Sequence, residues 1–120
     1  MASDSITQIN LNLAFPKAAV AFVIEVGGSD GKAPSFHLHV TDSSGNKVPF
    51  KADASPQLAD WVRGYTRWLY RARVSASYDT EAITGTFADG LTPEEVLQGV
   101  QDACDMIRQR FEPYDGSVLS

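Results

Sequence analysis

The sequence predicts an α+β domain: a mostly antiparallel sheet of about four N-terminal strands, with two C-terminal amphipathic helices packed on one face. Three observations lead there. Apolar and polar residues alternate through the first part of the chain, the period of a strand with one buried face. Two later stretches carry apolar residues at helical spacing, each behind a proline-headed start. The chain has 120 residues, of which 43 % are hydrophobic and 21 % charged. That suits one domain over residues 1–120 and excludes wholesale disorder. Residues 1–7 and 114–120 are expected to fray.

In the first strand Ile9, Leu11, Leu13 and Phe15 alternate with Gln8, Asn10, Asn12 and Ala14. Pro16, which has no N–H for a ladder, ends it. A second strand is predicted from Ala19 to Val26, with Val20, Phe22, Ile24 and Val26 on one side and Ala21, Val23 and Glu25 on the other. It is nearly apolar on both faces and belongs in the middle of the sheet. Gly27 to Gly31 reads as a loop. A third strand turns Phe36, Leu38 and Val40 inward and His37, His39 and Thr41 outward. Ser43-Ser44-Gly45-Asn46 reads as a hairpin turn into a short strand around Val48 to Phe50, where Pro49 argues for a sheet edge.

The first helix starts at Ser55-Pro56, an N-cap followed by proline at the first helical position, and runs to Arg73. Its stripe is Leu58, Trp61, Val62, Tyr65, Leu69 and Ala72, with Trp68 at the margin. The second starts at Thr92-Pro93-Glu94-Glu95, a capping box. Its stripe is Val96, Leu97, Val100, Ala103, Cys104, Ile107 and Phe111, and Pro113 stops it. Between the helices, Val74, Ala76 and Tyr78 alternate, as do Ile83, Gly85 and Phe87. This pattern admits a further strand or hairpin, and a mobile loop fits the same stretch.

Composition excludes several classes. The longest apolar run, Ala18 to Ile24, is seven residues, against the roughly 20 that a membrane helix needs. No basic cluster precedes an apolar stretch, so no secretory signal is expected. The single cysteine cannot form an internal disulfide, and a cytoplasmic setting is the expectation. A net charge of -5 argues against direct nucleic-acid binding.

Catalytic motifs are weak. His37 and His39 emerge on one face of a strand, spacing that seats a metal if a third ligand approaches, but no local His, Cys or carboxylate cluster supplies one. Gly27-Gly28-Ser29-Asp30-Gly31-Lys32 lacks the spacing, hydroxyl and following helix of a phosphate loop. Cys104 falls on a buried stripe and reads as packing. Asp102 and Asp105 neighbour each other on a solvated helix face, which does not separate their pKa values as a catalytic pair requires. No catalytic residue, cofactor or metal is therefore expected, and the chain reads as non-enzymatic.

Charge layout is more informative. Residues 1–55 carry a net -1, residues 56–73 carry +3 and residues 74–120 carry -7. Arg63, Arg67 and Arg71 stack along one line of the first helix, opposite its apolar stripe, with Tyr70 beside them and Trp68 near. Arg and aromatic residues are enriched at binding hot spots. On the second helix Glu94, Asp105 and Glu112 form an acidic outer line flanked by Asp102. Solubility alone, or neutralisation of one helix by the other, explains such charges equally well. The functional reading is a protein that binds a protein partner through these charged helix surfaces, of the inhibitor, immunity or adaptor type. In size and acidity the chain resembles in kind the small inhibitors that phages and plasmids encode. Alternatives are self-association into a homo-oligomer and capture of a small anionic or nucleotide-like ligand between Arg and an aromatic plane.

Overall fold

A computed structural model describes residues 8–28 and 33–119. Three strands come first: β1 (Ile9–Phe15), β2 (Val20–Gly27) and β3 (Ser35–Asp42). Helix α1 (Pro56–Leu69) follows, then β4 (Val74–Tyr78), β5 (Ile83–Phe87) and helix α2 (Pro93–Phe111). The strands form one antiparallel sheet in the order β1-β2-β3-β5-β4.

The fold is α+β, but two expectations about its strands are corrected. The predicted strand around Val48 to Phe50 does not form. A single bridge pairs Thr41 with Lys47, and the N–H groups of Val48 and Phe50 donate to the carbonyls of Val40 and Thr80, each at 2.8 Å. Pro49 sits between them without an N–H, so the ladder cannot propagate. The ambiguous 74–91 stretch instead supplies β4 and β5, which makes five strands and places α1 in mid-chain. Its turn is closed by Asp79, whose N–H donates to the Ala82 carbonyl at 3.0 Å. The Asp79 carboxylate accepts from the N–H groups of Glu81 and Ala82.

Register sets the two faces of the sheet. Paired residues point the same way, so Ile9, Leu11, Leu13 and Phe15 share a face with Val20, Phe22, Ile24 and Val26 of β2 and with Phe36, Leu38 and Val40. This face carries the core, and at one end Phe15, Phe22, Trp61 and Phe111 interlock. The Phe22 and Phe111 rings lie 4.8 Å apart, and Trp61 meets Phe111 edge-on at 5.0 Å. The opposite face is polar: Asn10, Glu25, His37, Thr84 and Ser77 form one row across all five strands.

The helix starts differ in mechanism. Thr92 Oγ1 accepts from the Glu95 N–H at 3.1 Å, and the Glu95 carboxylate accepts from the Thr92 N–H at 2.9 Å, so the capping box forms. Ser55 precedes α1 as expected, but its side chain does not cap the helix. It is buried, and its hydroxyl donates to the Pro49 carbonyl at 2.6 Å, which secures the connection instead. On α2, Leu97 leaves the predicted stripe and is exposed, while Gly99 is buried. Helix α1 ends at Leu69 rather than continuing to Arg73, and residues Tyr70–Ala72 form a 3-10 turn that Arg73 closes with φ 64°. After α2 the chain folds back: Val118 is fully buried and donates its N–H to the Ala18 carbonyl.

Glu95 in the capping box and Asp79 in the β4–β5 turn both titrate below their ordinary range. Glu95 is lowered from 4.5, first by the Thr92 N–H and then by the Thr92 hydroxyl and the charge of Arg73. Asp79 is lowered from 3.8, first by the Glu81 N–H and then by that of Ala82. A carboxyl depressed in the folded state contributes stability that is present above its ordinary value and lost as pH falls through its folded value. The melting temperature is therefore expected to hold from neutrality to about pH 5 and to fall below about pH 4. Glu95→Gln should flatten part of that fall in an acid titration followed by circular dichroism. An acid limb identical to the parent would show that the Glu95 contacts contribute nothing.

Candidate functional site

The helices meet across a bond between their inner faces. Tyr65 is 2 % exposed, and its hydroxyl donates to the Ala103 carbonyl of α2 at 2.9 Å. Burial pushes its pKa well above 10.0, so it stays a neutral donor. From this clamp outward, α1 presents a ladder of rings. Trp61 stacks on Tyr65 at 4.4 Å and 21°, and Tyr65 stacks on Trp68 at 5.9 Å and 13°. The spacing of 61, 65 and 68 on a helix dictates this, since residues three and four apart are neighbours.

The ladder forms one wall of an open groove of about 560 Å³ between α1 and α2. Gly64 lies on its rim, with nothing near the place where a side chain would sit. Met106 and Arg110 line the α2 side, and Arg67 and Arg71 line the α1 side with the rings. Asp60 is the groove's only carboxylate among the described residues, and it lies 3.8 Å from Arg63, outside the groove. Arg110 lies over the rings of Phe111 and Tyr114 at 5.3 and 5.8 Å. Among the described residues, none of Arg67, Arg71 and Arg110 makes an ion pair. A groove with three guanidinium groups and one carboxylate is thus cationic in a chain of net charge -5.

Arg67, Trp68 and Arg71 therefore meet in one place. Arg63 does not join them. At about 100° per residue Arg63 lies about 100° round the helix from Gly64 of the groove, and Tyr70 about 120°. Tyr70, 78 % exposed, falls on a different surface beside Val74, Phe87 and Asp89. The acidic residues lie apart from the groove as well. Glu94 is exposed near the start of α2, Asp102 accepts from the Gln98 amide at 3.0 Å, and Asp105 pairs with Arg108 at 3.2 Å. One bridge links the two charge sets: Arg73 contacts Glu95 at 3.1 Å. The sequence reads Trp61 and Tyr65 as core, and nothing local ties Arg110 to them, because only the packing of α2 beside α1 brings it to the groove.

Other sequence candidates are placed as follows. Cys104 is buried, and that burial raises its thiol pKa. Ser29 to Lys32 of the glycine-rich loop lie outside the described residues, as do residues 1–7. His37 and His39 lie on the polar sheet face, and Glu25 of β2 pairs directly with His37. That carboxylate is the third potential ligand that no local cluster offered. His39 titrates below 6.5, first through burial and then through the charge of Lys47. No described helix is long and apolar enough to cross a membrane. Comparison with protein-family models, curated proteins and solved structures finds no match to the chain.

Proposed function

We propose that this is a non-catalytic binding protein whose α1–α2 groove receives an acidic segment of a protein partner, with an apolar or aromatic side chain laid against the rings. The observation that carries this reading is the pair Arg67 and Arg71, without carboxylate partners among the described residues, beside stacked rings in an acidic chain. Unpaired guanidinium groups next to aromatic area are what acidic ligands find most favourable. The groove lies open along two helices, which favours an extended segment over an enclosed small molecule. A second reading, capture of a nucleotide-like anion, draws on the Trp68 face beside Arg67 and Arg71, since a flat ring stacks there while its phosphate meets the guanidiniums.

Both tryptophans of the chain line this groove, so intrinsic fluorescence reports on it directly. Titration with short acidic peptides carrying one Phe should shift that emission, and the affinity should fall as salt rises. Basic peptides of equal length should leave it unchanged. Arg67→Glu with Arg71→Glu should weaken binding at least about tenfold, a loss of ~1.4 kcal/mol or more. Its melting temperature should stay near the parent's, because both side chains are exposed. Undiminished binding by the double variant overturns the assignment. A response to nucleotides alone selects the second reading. A mass by light scattering at a multiple of 13.0 kDa that drops with salt would instead make another copy the partner.

A further inference from the structure

From the polar face of the sheet, remote from the helix groove, we infer that Glu25, His37 and His39 form a binding site for a divalent transition ion of the zinc type. Strand pairing builds it. His37 and His39 are two apart on β3 and so emerge on one side, and Glu25 is the register partner of His37 on β2. His37 Nδ1 lies 3.5 Å from Glu25 Oε1, and ligand atoms of all three residues fall within 4.8 Å of one another. A tetrahedral ion bound at about 2.0–2.2 Å needs donors about 3.3–3.6 Å apart. The Glu25–His37 pair already meets that spacing. The remaining approach takes only side-chain rotation of His39, because the backbone is held on two paired strands.

A second observation points the same way. The Nδ1 atoms of both histidines are shielded from solvent and have no hydrogen-bond partner. Shielded polar nitrogens are normally satisfied, and an ion between them would satisfy both at once, with Glu25 offsetting its charge. Two imidazoles and one carboxylate suit zinc, cobalt or nickel rather than magnesium or calcium, which take oxygen ligands. Of the charges acting on the histidines, Asp79 favours a cation and Lys47 opposes it. Three protein ligands leave at least one position of a tetrahedral ion for water or a further ligand.

His37 and His39 are the only histidines in the chain, so histidine NMR of the unaltered protein reads the site without mutation. Adding Zn2+ should move both ring signals and saturate at about one ion per chain, while Mg2+ should leave them in place. Calorimetry should show that Glu25→Gln and His39→Ala each weaken Zn2+ binding at least tenfold. Three results would overturn the site: ring signals that ignore Zn2+, signals that respond equally to Mg2+, or variants that bind Zn2+ as tightly as the parent. Should a variant fail to fold, the NMR titration alone decides.

Discussion

Phe111→Ala is expected to destabilise the protein by about 3–5 kcal/mol, the range for truncating a buried Phe. The native state of such a domain is only ~5–15 kcal/mol more stable than the unfolded chain. Phe111 is fully buried near the C-terminal end of α2, and its ring meets Phe22 of β2, Trp61 of α1 and Phe15 of β1. One truncation therefore removes contacts to both other parts of the core, the sheet and the first helix. Close packing leaves few neighbours free to collapse into the gap. Urea titration should show the midpoint falling with an unchanged slope. Phe111→Leu should recover most of the loss. A cost below about 1 kcal/mol would mean that the cluster relaxes around the void. Because Phe111 also contacts Trp61, the variant should loosen the groove wall, and peptide affinity should drop with stability. That pattern differs from the arginine double variant, where affinity falls alone.

Gly85→Ala is the second large effect, and it runs against the usual direction. Ala normally stabilises a strand relative to Gly by about 0.5–1 kcal/mol, because Gly loses more chain entropy on folding. Here a Cβ on Gly85 would sit 2.6 Å from the Ser75 carbonyl oxygen and 2.9 Å from Ala76 Cα. Both are backbone atoms of β4, so no side chain can swing aside. The clash costs of the order of 1–3 kcal/mol or more, which outweighs the entropy gain. Since β4 is an edge strand, strain is expected to be relieved by its separation from β5. Hydrogen exchange should speed up at the β4 amides and leave β1 to β3 protected. A variant as stable as the parent, with β4 still protected, would contradict the close approach.

Local chemistry made much of this legible in advance. Alternation located β1, β2 and β3, since one buried face imposes a period of two. Thr92 to Glu95 announced the start of α2, because a capping box is satisfied within four successive residues. Val48 to Phe50 misled, since burial of Val48 and Phe50 mimics a strand while Pro49 prevents one. Residues 74–91 stayed ambiguous because five-residue strands carry too few alternations to stand apart from a loop. Arg67, Trp68 and Arg71 are legible as a group, whereas Tyr70 falls on the Arg63 side of the helix, away from the groove.

Sequence alone thus determined the α+β class, the inner faces of the early strands, both helices and the uneven charge. These depend on neighbours within a few positions, where backbone geometry is nearly invariant. Tertiary structure alone decided that β5 inserts between β3 and β4, that Trp61 and Tyr65 join Arg110 along one groove, and that Glu25 meets His37. Each of those joins residues far apart in the chain, and which distant segments pair is settled by the packing of the whole core.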